Sequence, residues 1–202
     1  MKKLLDPVID MRKISYFLIF VIVQAFCGCN DKLITEKLTH EIMGLIIDKN
    51  AKAIPPPPKF GTIEEVDEKL LDSIVNLPLK VAIYPIMSDI DLRTINMTIP
   101  YEYREIVQIN SKISSFELSN ISSKKGHYLF LADSSAVKRD KEYKDFDLLF
   151  NFSSICFNKE RTRAIVEIGV SRSALAGYSV IYCLVFDNEK WRVAFSKINS
   201  EW

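Results

Sequence analysis

The last third of the chain constrains the fold most. Leu148 to Phe157, Arg163 to Val170, Tyr178 to Phe186 and Trp191 to Ile198 are apolar-rich segments of strand length. Short polar connections separate them, among them Asn158 to Glu160 and Asp187 to Lys190, which have the composition of hairpin turns. Connections that short join antiparallel neighbours, so the spacing predicts a four-stranded meander. Period-two alternation puts Ala164, Val166, Ile168 and Val170 on one face of the second segment, with Glu167 and Gly169 on the other. The same alternation puts Trp191, Val193 and Phe195 on one face of the fourth segment. The third segment is apolar on both sides, with Tyr178, Val180, Tyr182 and Leu184 against Ile181 and Val185. A strand of that kind needs cover on both faces, and helices from the N-terminal half are the candidates.

Those helices announce themselves by period. Asn30 or Asp31 can cap a helix that carries Ile34, Leu38, Ile42, Leu45 and Ile46 on one stripe and ends near Asn50, with His40 on its polar side. Residues 51–61 follow, and Pro55, Pro56, Pro57 and Pro58 within them favour an extended, stiff spacer rather than a docking ligand. Thr62 begins a second helix, with Glu64 and Glu65 suited to its positive end and Val66, Leu70, Ile74 and Leu77 as its buried stripe, closed by Pro78. Leu79 to Tyr84 and Tyr128 to Ala132 read as strands, Tyr101 to Ile109 as a third helix, and Lys138 to Asp147 as a solvated loop. Asp89 to Thr98 fits neither period. The expected fold class is α+β, with N-terminal helices packed on an antiparallel sheet that ends in the four-stranded meander. Residues 29–61 would form the N-terminal helix and proline-rich spacer, and residues 62–202 the globular domain.

The chain begins differently. Arg12 and Lys13 precede an unbroken apolar run from Tyr16 to Val23, and a short tail leads into Phe26-Cys27-Gly28-Cys29. Basic flank, apolar run and small residue, in that order, make a secretory signal over residues 1–28. The apolar stretch falls short of the ~20 residues a helix needs to span a bilayer, so an uncleaved single-pass anchor is the alternative reading. Residues 26–29 resemble the lipobox of bacterial lipoproteins, with Gly28 as the small residue before Cys29. The resemblance implies cleavage before Cys29, diacylglycerol on its sulfur, further acylation such as palmitate, and residence in the bacterial cell envelope, facing the periplasm or the surface. Phe26 stands where that motif usually has Leu, and Cys27 where it has a small residue. Met11 opens what reads as a complete signal, whereas residues 1–10 carry two acids and a proline, so translation is expected to start at Met11.

A second resemblance lies in the meander. Ser154-Ile155-Cys156-Phe157-Asn158, Arg161-Thr162-Arg163-Ala164-Ile165-Val166, Gly177-Tyr178 and Trp191 are similar to segments of small uncharacterised domains of bacterial lipoproteins. It implies an exported α+β module and no reaction. Those domains often have a cysteine pair and extra glycines where this chain has Ser171 to Ala176, so no role of that loop carries over.

The formal net charge of the chain is +1, and removal of residues 1–28 leaves it near neutrality. With no basic cluster to neutralise phosphates, nucleic acid is not an expected partner. Cys156 and Cys183 fall on the first and third meander strands, two spacings of ~4.8 Å apart, whereas a disulfide needs Cα atoms within ~7 Å. They are expected to be small buried hydrophobes. The two histidines, His40 and His127, lack the spacing of a zinc site, and no calcium loop or phosphate-binding glycine motif occurs. His127, Asp133 and Ser134 form the one imaginable nucleophilic triad, which would make the chain a lipid-anchored hydrolase. The pairs Asp89 with Asp91 and Asp145 with Asp147 read as solvated turn acids. No catalytic residue, cofactor or metal is therefore assigned, and the one assigned site residue is Cys29. The expected role is a non-catalytic binding or assembly module that meets the membrane through the lipid on Cys29 and an envelope partner through its folded surface.

Overall fold

Long alternating strands build most of the sheet. The computed structural model describes residues 33–54, 68–90, 95, 98–106, 110–111, 117–132, 145–173 and 175–202. Two of them, β6 (Arg163–Ser173) and β7 (Ala176–Asp187), pair antiparallel from Arg163↔Val185 to Ser173↔Ala176. Both strands run past the limits suggested by alternation, so Ser171 to Ser173 continues the ladder where a loop was expected. β7 then pairs antiparallel with β8 (Lys190–Glu201) through a turn in which Asn188 and Glu189 both take positive φ, the conformation that lets two residues reverse a twisted ladder.

On the other side of β6 lies a broken strand. Leu148 to Phe157 is not one element but two, β4 (Leu148–Phe152) and β5 (Ile155–Phe157), each antiparallel to β6. The break at Ser153-Ser154 has a local cause. Ser88 reaches in, donating its N–H to Phe152 O at 3.0 Å and accepting the Ser154 N–H at 2.8 Å. The Ser153 hydroxyl replaces the missing ladder acceptor by taking the Glu167 N–H at 2.9 Å, and the Ser153 N–H donates to Glu167 O at 2.8 Å.

The sheet is mixed rather than wholly antiparallel. β1 (Lys80–Ile83) is parallel to β4 and to β3 (Tyr128–Leu131), and β2 (Asn110–Ser111) pairs antiparallel with β5. Parallel neighbours need long crossovers, which the segments after β1 and β3 supply. Among the described residues the sheet has eight strands, and helices complete an α+β architecture.

Both faces carry apolar clusters. Residues 33–50 are helical (α1), and Ile42, Met43, Ile46 and Ile47 are fully buried in one cluster with Val81, Phe150, Ala164, Val166, Ile168, Tyr182 and Leu184. Each of the Ile, Met, Val, Leu and Phe side chains among them contributes about 1.5–3 kcal/mol of burial. Gly44 lets α1 approach closely, since a Cβ there would meet Ser122 O at 2.4 Å. On the opposite face Ile165, Ile181, Cys156 and Cys183 pack with Ile90, Ile95, Ile99, Tyr103 and Ile106. Within this cover Ile95 is helical, its carbonyl accepting the Ile99 N–H at 3.2 Å. The helix expected over Tyr101 to Ile109 is a 3₁₀ turn at Tyr101–Tyr103, because burying Tyr103 and Ile106 needs only one turn of spacing three; residues 107–109 lie outside the described residues.

The compact unit runs from Leu38 to Trp202, so α1 belongs to it from Leu38 onward, ahead of the expected boundary at Thr62. The second helix, α2, is described over Glu68–Val75, and none of its residues is buried. Leu70 and Leu77, expected in a buried stripe, are exposed, because the apolar cluster is already filled by α1. His40, expected on the polar side of α1, is buried. Among the described residues no helix is long and apolar enough to cross a membrane. Residues 1–28, where an export signal is expected, Cys29 and the four prolines lie outside the described residues.

Candidate functional site

The polar residues that the fold gathers most closely sit where α1, the 121–127 loop and the start of β1 meet. Ser123 donates its hydroxyl to Asp48 Oδ1 at 2.6 Å, and the Lys124 N–H donates to Asp48 Oδ2 at 2.8 Å. The His127 N–H in turn donates to Ser123 Oγ at 3.2 Å. The His127 ring then takes the Leu79 N–H on Nδ1 at 3.1 Å, while the Tyr128 N–H donates to Leu79 O at 2.9 Å. His127 and the adjacent Tyr128, the first residue of β3, thus engage both main-chain groups of Leu79 at the entry to β1.

Asp48, Ser123 and His127 are the residue types of a hydrolytic triad, but their connections are different. A triad needs the hydroxyl to face a ring nitrogen and the acid to hold the other nitrogen. Here the serine hydroxyl points at the acid, and the histidine meets the serine through its main chain. Nδ1 is occupied as an acceptor, which makes the neutral ring the Nε2–H tautomer. Nε2 is buried and has no hydrogen-bond partner among the described residues. Burial lowers the His127 pKa below 6.5, Asp48 opposes this and Lys125 reinforces it. Of the triad imagined from the sequence, Asp133 and Ser134 lie outside the described residues, as does Asp91. Sequence reasoning missed Asp48 and Ser123, which carry no motif and meet only through the fold.

Of the other candidate acids, Asp147 has a duty in the scaffold. Asp147 Oδ2 accepts the Lys80 N–H at 2.8 Å, and its own N–H donates to Lys80 O at 2.9 Å, which pins the first residue of β1. Cys156 and Cys183 form no disulfide; they are buried and separated across the sheet by Ile165, with which each is in register. Burial pushes their thiols up to about 11 and about 12 respectively. Among the described residues no group of three His, Cys, Asp or Glu side chains could hold a metal ion.

A second polar region is a cleft of about 510 Å³ between the 3₁₀ turn and the β5–β6 connection. Glu102, Glu105, Lys159, Glu160 and Arg163 line it, so it is bordered by both carboxylates and cations. Asn158 is occupied in closing the turn, its Oδ1 accepting the N–H groups of Thr162 and Arg163 at 2.8 Å each. The Arg163 guanidinium lies 5.8 Å from the centre of the Tyr103 ring. These contacts shape the cleft as a turn packed on a turn.

No protein-family profile, curated protein or solved structure matches the chain.

Proposed function

We propose that the chain is a lipid-anchored protein of the bacterial cell envelope, held in a membrane by acyl chains on Cys29 and presenting a non-catalytic α+β module for binding or assembly. The observation that carries this reading is the sequence Arg12-Lys13, the apolar run Tyr16 to Val23, and Gly28-Cys29 in that order. Two or three acyl chains make such an anchor stable, where one is marginal. The architecture of the reading is α1 packed on a sheet that ends in a four-stranded meander. The burial shared by Ile42, Ile46, Val166 and Tyr182, and the successive pairing of β6, β7 and β8, support it. The absence of a reaction from the reading rests on the engagement of Ser123 with Asp48 and of His127 with Leu79, which leaves neither side chain aimed as a nucleophile or its base.

Growth with an alkynyl fatty acid, followed by capture of labelled protein, tests the proposal. Label on the wild type and none on Cys29→Ala is the expected result. Unlabelled wild-type protein, or equal label on both, would remove the anchor from the account.

A further inference from the structure

The grip of His127 on Leu79 depends on one lone pair, and a proton can take it away. Leu79 N–H is itself a donor, so when Nδ1 is protonated two donors face each other at a separation that was 3.1 Å. The imidazolium must either leave that position or force Leu79 to leave. Main-chain groups at the site have few alternatives, because Leu79 is buried and the ring is buried beside it. The charged groups acting on the ring are Asp48 on α1, which favours the second proton, and Lys125 on the loop, which opposes it. β1 meets the ring through the Leu79 main chain, and the adjacent Lys80 is tied to Asp147 by the two bonds described above, one to its carboxylate and one from its N–H.

We propose that the loop ending at His127 is a pH-operated clasp on the start of β1, closed while the ring is neutral and opened when the ring takes a second proton. Opening releases Leu79 N–H and loosens the neighbouring Tyr128-to-Leu79 bond, the first rung between β1 and the edge strand β3. Asp48 holds the other end of the loop through Ser123 and Lys124. The loop therefore stays tethered to α1 while its grip on the sheet is released. This device is independent of how the chain is anchored, and its failure would leave the lipid reading untouched.

The test is an NMR titration of the folded wild-type protein from about pH 8 to pH 5, the window in which histidine changes charge. It follows the His127 ring nitrogens and the exchange protection of the Leu79 amide, corrected for the intrinsic pH dependence of exchange. The clasp requires an Nε2–H tautomer at the upper end, then protonation of Nδ1 accompanied by a roughly tenfold or greater loss of Leu79 protection, the equivalent of losing one hydrogen bond. In His127→Asn, whose side-chain oxygen can accept the same N–H without titrating, Leu79 protection should stay level over that range. Protonation of the wild-type ring with Leu79 protection unchanged would overturn the proposal. So would loss of protection while the ring stays neutral, and the wild-type measurement alone decides both.

Discussion

Ser153 shows how a single hydroxyl can stand in for a backbone group. It is 2% exposed, and its oxygen takes the Glu167 N–H where β4 and β5 part. Ser153→Ala would orphan that N–H in the interior and should lower stability by about 1–3 kcal/mol, read as a shift in the denaturation midpoint with unchanged slope. At Gly177 the constraint is steric. A Cβ there would stand 2.7 Å from the Trp202 ring, whose backbone pairs with Gly177 through bonds of 2.9 and 3.0 Å. Gly177→Ala should therefore displace the indole, seen as a red shift and greater quenching of tryptophan emission; an unchanged spectrum would contradict the packing. The role of neither residue was legible from the sequence, because each acts on a partner brought near only by strand pairing. His40 was misread because helical period identifies the apolar stripe of α1, whereas burial extends beyond that stripe to include Thr39 and His40.

At the level of elements, α1 and α2 should respond in opposite ways to truncation. Ile46→Ala removes atoms from a fully buried site and should cost about 2–5 kcal/mol, whereas Leu70→Ser on exposed α2 should change stability by less than about 0.5 kcal/mol. Equal effects of the two changes on the unfolding midpoint would contradict the assigned cover. Alternation made Ala164, Val166, Ile168 and Val170 readable in advance, since a period of two needs no knowledge of partners. The break at Ser153-Ser154 was not readable, because Ser88 causes it from a distant segment. Nor was the 3₁₀ turn at Tyr101–Tyr103, as one turn of 3₁₀ and one turn of α-helix bury nearly the same spacing. The edge strand β8 is likewise more irregular than its sequence suggests. Its ladder with β7 shifts register between Ser179 and Val180 and again between Cys183 and Leu184, and bulges of this kind discourage pairing with another chain.

For the molecule as a whole, one sheet separates two apolar layers, and that separation governs its chemistry. Cys156 and Cys183 sit in the layer opposite α1, with thiols raised by burial to about 11 and about 12. They should resist alkylation at neutral pH in the folded chain and react together on unfolding; rapid labelling of the native protein would contradict their placement. Stability should also fall with acid. The folded-state pKa of His127 lies below its ordinary 6.5, so the unfolded chain takes up the proton first as pH falls. The contribution of His127 is thus complete above about pH 6.5 and lost as pH drops through that value toward the folded-state pKa. His127→Asn should flatten this part of the stability profile. The successive pairing of β6, β7 and β8 was readable in advance because it depends on contiguous sequence; the polar contact of Asp48 with Ser123 and His127 was not, because a helix and a distant loop make it. The central functional claim rests on Cys29, and the intact mass of the protein extracted from bacterial membranes tests it most directly. A chain beginning at Cys29 and heavier by a diacylglycerol group is predicted; an unmodified chain, or one that still carries residues before Cys29, would contradict it.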